Sequence, residues 1–213
     1  MKELDLNGIT FMRPVPEGTD EWYFALDYEQ GDLYEAQEIY EGTKSLRGNN
    51  LFLIHYPDAE VIRPIPKKEN VAYGEPVYYD GKIAFVAVAF EEEKIRIHQF
   101  DCQSRELSVV DEIELSSIRD CFNLRLFQHP LTLTRQGNDG TLELIWPEKK
   151  TISIGEKESF FMLSDNKLYL NRWFEDPDYR EETVVRDAKT GEILQVLPGD
   201  VRVMPNGEIW ILK

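Results

Sequence analysis

The stretch VVRDAKTGEILQV, residues 184–196, has the pattern of a hairpin of two short strands. Apolar and β-branched residues flank a polar centre, as in antiparallel strands joined by a short turn. The Asp187 carboxylate can accept hydrogen bonds from the amides of the turn, and Gly191 can adopt the left-handed conformation that closes it. A single hairpin of this kind fits many folds, whereas regular copies along the chain indicate a repeat fold.

Two other segments follow the same order of apolar strand, aspartate, turn and second strand. They are FALDYEQGDLYEAQEI (24–39) and HQFDCQSRELSVVDEI (98–113). In the second of them Arg105 stands where glycine is expected, so this turn requires either a strained residue or another geometry. The residues predicted to shape the three turns are Asp27, Gly31, Asp101, Asp187 and Gly191.

The spacing of the three aspartates fits a closed ring of equal units. Asp27 and Asp101 are 74 residues apart, and Asp101 and Asp187 are 86 apart. From Asp187 through the end of the chain and back to Asp27 the distance is 53 residues. These intervals divide into two, two and one units of about 43 residues, close to the length of a four-stranded propeller blade. Shortened hairpins at 54–65 and 144–154 supply the two remaining units.

The rest of the chain indicates strands nearly throughout. Short apolar runs alternate with turn sequences such as YDGK (79–82), NDGT (138–141) and PNGE (205–208). The Asn, Asp and Gly of these turns tolerate the positive φ of tight hairpins. LYEAQEIY (33–40) is predicted as one of the strands, and helix is expected only as a short turn within 115–122.

The end of the chain suggests how the ring closes. Residues 199–213 predict two strands of a last unit, and the N-terminal segment is expected to supply its outer strands. Closure of this kind removes exposed sheet edges. The predicted fold is an all-β, five-bladed β-propeller, closed by N- and C-terminal strands, in a single domain spanning 1–213. A β-sandwich or another barrel is the alternative.

These hairpins give the chain a resemblance to small, degenerate β-propellers of the WD-repeat-like kind. DAKTGEIL (187–194) is the most typical segment, and by sequence the resemblance covers the three hairpins. The chain departs from the common propeller patterns, since it has neither a Trp-Asp dipeptide nor a Gly-Gly pair. The resemblance implies a propeller and, by analogy of fold alone, loops on one face that bind a protein.

The charge of the chain restricts its partners. Acidic residues number 40 and basic residues 24, which gives a net charge of −16. Such a field repels phosphate backbones and anionic lipid headgroups, so neither nucleic acid nor a membrane is expected as a partner. A basic protein, a cation or a neutral small molecule fits better. The N-terminus has no signal-peptide pattern, and a cytoplasmic location is expected.

Few residues carry recognisable chemistry. The three histidines lack metal-ligand spacing, and no nucleophile motif or phosphate-binding loop occurs, so no catalytic residue and no cofactor is predicted. The acidic loop 174–182 is either a solvated hairpin connection or a source of Ca²⁺ ligands at Asp176, Asp178 and Glu181. Aromatic residues beside turns and acids are candidates for contacts with a protein or a sugar. They are Trp22, Tyr78, Tyr79, Trp173 and Tyr179.

The sequence therefore favours a non-catalytic binding platform for a basic or neutral protein over an enzyme. The alternative is a carbohydrate-binding or carbohydrate-cleaving β-protein, and cleavage would need two carboxylates facing each other across a cleft. A structural or assembly subunit is the third possibility.

Overall fold

The computed structural model describes residues 1–204 and 208–213. Strands dominate it, which confirms the predicted all-β class. The first sheet contains β1 (Arg13–Pro14), β2 (Trp22–Leu26), β3 (Leu51–His55) and β4 (Glu60–Ile62). The second contains β5 (Val71–Tyr73), β6 (Val77–Tyr79), β7 (Lys82–Ala89), β8 (Lys94–Asp101) and β9 (Leu107–Glu114).

Three more sheets follow in chain order. The third contains β10 (Arg125–Gln128), β11 (Leu131–Gln136), β12 (Thr141–Trp146) and β13 (Lys150–Ser153). The fourth contains β14 (Glu158–Ser164), β15 (Lys167–Phe174), β16 (Arg180–Asp187) and β17 (Ile193–Pro198). The fifth contains β18 (Asp200–Val203) and β19 (Ile209–Leu212). An α-helix, α1 (Leu33–Thr43), and a single 3₁₀ turn, Leu115–Ser117, complete the described elements.

Within each sheet the strands lie side by side in chain order, apart from β6, which pairs with β7 beside β5. Each of the four larger sheets has a row of four neighbouring strands, and the third strand in each row is β3, β8, β12 and β16, respectively. They begin at residues 51, 94, 141 and 180, at intervals of 43, 47 and 39 residues. The described chain is therefore a series of antiparallel units close to the 43-residue period expected from the sequence.

The hairpin predicted over 184–196 is present, with Val184 opposite Val196 and β17 at the edge of its sheet. The Asp187 carboxylate accepts hydrogen bonds from the amides of residues 189 and 190, at 2.7 and 2.8 Å. The Asp101 carboxylate accepts them from residues 103 and 104, at 3.0 and 2.8 Å. These amides hold the pKa of both aspartates below the usual range.

Counted from the aspartate, the fifth residue of each turn closes the turn by a backbone hydrogen bond. The amides of Arg105 and Gly191 donate to the backbone carbonyls of Asp101 and Asp187, at 2.9 and 2.8 Å. Arg105 has φ +62° and Gly191 has φ +76°. Arg105 thus adopts the left-handed conformation that glycine takes in the matching turn. Of the two possibilities that the sequence left open, a strained residue and another turn geometry, the structure has the strained residue.

Residues 33–43 form a helix, and the predicted strand over 33–40 is wrong. The Asp32 carboxylate accepts hydrogen bonds from the amides of Tyr34 and Glu35, and the Glu35 carboxylate accepts one from the amide of Asp32. This capping box nucleates the helix, and Leu33 and Ala36, three residues apart, form its buried side. The turn at Asp27 and Gly31 therefore leads into a helix and not into a second strand.

The predicted closure of the ring is not confirmed. In the described residues, β18 and β19 pair with each other, and the N-terminal strand β1 pairs with β2. The predicted turn at 205–208 lies largely outside the described residues. The helix predicted within 115–122 is reduced to the one 3₁₀ turn.

The chain divides into two compact units, residues 1–126 and 127–213. The core of the first unit is built around Trp22, Phe24, Phe85 and Phe100. The second unit packs Leu142, Phe160, Leu168, Leu170 and Val184 into its core. No helix in the described part of the chain has the length and apolarity required to cross a bilayer.

Candidate functional site

A pocket of about 200 Å³ opens in the first unit, where α1 begins. The turn after β2 places Tyr28 and Asp32 at the rim of the pocket, and the segment after β5 adds Glu75. Residues 121–125 line the remaining side. Its apolar lining is formed by Leu26, Leu33, Tyr73 and Leu124. An apolar lining with a few polar groups at the rim is the usual composition of a binding pocket.

Glu75 organises the polar rim. Its carboxylate accepts a hydrogen bond from the Tyr28 hydroxyl and forms an ion pair with Arg13, whose Nη1 lies 2.9 Å from Oε1. The Arg13 guanidinium also lies 5.7 Å from the centre of the Tyr28 ring, and Phe11 stacks on that ring at 5.9 Å. These contacts fix the orientation of Tyr28 beside the pocket.

The two tyrosines of the pocket stay neutral at physiological pH. Burial, followed by the hydrogen bond to Glu75, raises the pKa of Tyr28 well above its ordinary value. Burial raises the pKa of Tyr73 to about 12, and the Tyr73 hydroxyl donates to the carbonyl of Pro66 at 2.8 Å. A neutral phenol is a hydrogen-bond donor as well as an acceptor, so the rim offers both kinds of group.

Arg125 adds a cation to this rim. Arg125 is an exposed residue, and partial desolvation of its guanidinium lowers its pKa, against the smaller opposing effect of the Glu75 carboxylate. Arginine remains charged under such influences. The pocket therefore combines an apolar lining, the carboxylates of Asp32 and Glu75, and one guanidinium.

Negative charge is concentrated in the unit that holds the pocket. Residues 1–126 contain 25 acidic and 13 basic side chains, a net charge of −12. Residues 127–213 contain 15 and 11, a net charge of −4. Helix α1, which lines the pocket through Leu33, exposes Glu35, Glu38 and Glu41 and has no basic residue in its last turn.

The aromatic residues singled out in the sequence have different environments. Trp22 is only 3% exposed and packs edge-on against Phe100, so its role is in the core and not in ligand contact. Tyr78 is partly buried and Tyr79 exposed, both in the first unit. Trp173 and Tyr179 are exposed at 50% and 67%, in the second unit.

The acidic loop 174–182 does not gather its carboxylates. The Tyr179 hydroxyl donates to Glu181 at 2.5 Å, and the Arg180 guanidinium lies 4.0 Å from the centre of the Phe174 ring. Within the described residues, the side chains that bring three potential metal ligands together are His55, Asp58 and Glu60. The three residues proposed for Ca²⁺, Asp176, Asp178 and Glu181, do not form such a group.

Sequence reasoning missed both the pocket and this group of ligands. The pocket joins three stretches far apart in the chain, and no local pattern indicates that Tyr28 meets Glu75. The ligand group had a detectable signal, because the hairpin predicted over 54–65 contains His55, Asp58 and Glu60 within six residues.

Comparison with known proteins adds no assignment, since no protein-family model matches the chain and no curated protein is similar to it. The function is therefore argued from the geometry and charge of the first unit.

Proposed function

We propose that the protein is a non-catalytic binding platform whose first unit recognises a basic or neutral segment of a partner protein. The observation that carries this proposal is the pocket in the more acidic unit, beside the exposed glutamates of α1. Opposite charge speeds encounter and orients the partner, while a desolvated pocket supplies the anchor for one of its side chains.

The chemistry of the rim suits a lysine or arginine side chain of the partner. Its aliphatic stem can pack against Leu33 and Leu124, and its cation can approach Glu75. In the structure, Glu75 forms its ion pair with Arg13, and both side chains of this pair are about half exposed. Exposed pairs of this kind contribute little stability, so an incoming cation can compete with Arg13 at small cost. Arg125 can donate to a carbonyl of the partner's backbone.

Charge neutralisation on α1 tests this function. The variant Glu38→Gln/Glu41→Gln is expected to bind a partner of the wild-type protein about three- to tenfold more weakly, because it removes two exposed negative charges from α1. The matched control, Glu148→Gln/Glu156→Gln, removes two exposed acids of the second unit and is expected to retain the partner fully. Affinity is measured by biolayer interferometry at low and high salt.

Two results would contradict this function. Equal loss in both variants would show that the first unit has no special role. Binding that responds neither to the substitutions nor to salt, together with binding to neutral glycans, would favour the carbohydrate alternative.

We further propose that the five consecutive sheets are the blades of one five-bladed propeller in a single domain. The near-regular spacing of the third strands and the side-by-side order of the strands support this arrangement. Small-angle X-ray scattering tests it, because one compact body of 213 residues is expected to have a radius of gyration of about 17 Å. A clearly larger value with a bimodal distance distribution would show two separate bodies instead.

A further inference from the structure

We propose that His55, Asp58 and Glu60 form a binding site for a first-row divalent cation such as Zn²⁺, on the hairpin between β3 and β4. His55 and Glu60 are direct cross-strand partners, and Asp58 lies in the turn that joins them. One ligand atom from each side chain lies within 4.8 Å of the other two. Imidazole and carboxylate ligands together suit Zn²⁺, Co²⁺ and related ions.

The distances within the group already resemble those of a coordination shell. Nδ1 of His55 lies 2.9 and 3.0 Å from the two carboxylate oxygens of Asp58. Two ligands of a tetrahedral ion, each at about 2.1 Å from it, are separated by about 3.4 Å, so Nδ1 and the carboxylate need to move apart by only about 0.5 Å. His55 and Asp58 can therefore bind one ion with little movement, once Nδ1 is unprotonated. Glu60 reaches the same ion by rotating its side chain.

Groups outside the three ligands hold His55 and Glu60 in place. The Trp22 ring lies against the His55 ring, with 4.8 Å between ring centres. The Arg105 guanidinium lies 4.6 Å from the centre of the Trp22 ring, and its Nη2 donates to Oε2 of Glu60 at 3.1 Å. A carboxylate has two oxygens, so Oε1 of Glu60 can bind the ion while Oε2 keeps Arg105. Outer contacts of this kind orient the ligands of metal sites.

Asp58 differs from the aspartates of the other hairpins in a way that favours this role. Asp101 and Asp187 each accept hydrogen bonds from two amides of their own turns. Asp58 accepts one, from the amide of Glu60 at 3.1 Å, and directs its carboxylate toward the His55 ring. Asp58 is therefore held less by its own turn than Asp101 and Asp187 are, and its carboxylate is placed to share an ion with His55.

Titration of the full chain with ZnCl₂ in a calorimeter tests the site. Wild-type protein is expected to bind one Zn²⁺, and His55→Ala and Asp58→Asn are each expected to weaken binding at least tenfold. Asp187→Asn is the matched control, because it changes an aspartate of a similar hairpin without a neighbouring histidine, and it is expected to bind Zn²⁺ as the wild type does.

A second measurement needs no variant. Co²⁺ is paramagnetic, and in ¹H–¹⁵N spectra of the wild-type protein it is expected to broaden the amide signals of residues 55, 56 and 58–60 and the indole signal of Trp22 first. Absence of Zn²⁺ binding at millimolar metal would overturn the proposal. So would unchanged affinity in both His55→Ala and Asp58→Asn, or broadening centred elsewhere in the chain.

Discussion

Glu158→Ala is expected to lower the free energy of unfolding by about 3–5 kcal/mol, as found when one partner of a buried ion pair is removed. The Glu158 side chain is 1% exposed. Its two carboxylate oxygens accept hydrogen bonds from Nε and Nη2 of Arg186, at 2.9 and 3.0 Å. Oε2 also accepts one from the amide of Gly155, at 2.8 Å. Alanine at this position leaves the largely buried guanidinium without its counter-charge.

The measurement is urea unfolding followed by circular dichroism and tryptophan fluorescence. Glu114→Ala is the control, because Glu114 forms its ion pair with Lys94 on the surface and its loss is expected to leave the unfolding midpoint close to that of the wild type. Glu158→Leu/Arg186→Met removes both buried charges and is expected to be less destabilising than Glu158→Ala alone. If Glu158→Ala and Glu114→Ala had equal effects, the ion pair would not stabilise the second unit as described.

Tyr73→Phe is expected to reduce the sensitivity of the fold to alkaline pH. The pKa of Tyr73 is about 12 in the folded protein, against about 10 in an unfolded chain. Between these values the unfolded state binds fewer protons than the folded state, so wild-type stability falls as the pH rises. At 1.36 kcal/mol for each pH unit, this one group accounts for a loss approaching about 2.7 kcal/mol by pH 12.

Urea unfolding at intervals between pH 9 and pH 11.5 measures this dependence. The free energy of unfolding of Tyr73→Phe is expected to fall less steeply with rising pH than that of the wild type. The variant also lacks the hydrogen bond to Pro66, so the slopes of the two curves are compared and not their absolute values. Tyr79→Phe, which changes an exposed tyrosine, is expected to follow the wild-type curve. Parallel curves for Tyr73→Phe and the wild type would show that this buried phenol is not responsible.

Local patterns in the sequence predicted most of the strands because each hairpin is encoded within a few residues. For Arg105 the sequence left a strained residue and a different turn as alternatives, and the structure has the first, because its turn matches that of Gly191 position by position. Helix α1 was missed because residues 33–40 stand where the second strand stands in the other two hairpins, although their apolar residues recur at helical spacing. The Asp32–Glu35 capping box is the signal that distinguishes the two.

The candidate sites depended on information that a local pattern does not contain. Trp22 was a candidate for ligand contact because it adjoins a turn, yet it shares one buried face of β2 with Phe24 and Leu26. The pocket requires the turn after β2 to approach the residues after β5, and their contact arises from the packing of two sheets. The group on the β3–β4 hairpin is local, and the cross-strand pairing of His55 with Glu60 could have been inferred from the predicted hairpin.

The side-by-side order of the strands has a consequence for the synthesis of the chain. Each sheet is a contiguous segment, so its strands can pair without waiting for distant sequence. Ribosomes add about 5–20 residues per second, so a unit of about 43 residues emerges over roughly 2–9 seconds. Hairpins form in microseconds. The hairpins of an earlier sheet therefore have time to form before the next sheet is made, so few strands stay unpaired at any moment of translation.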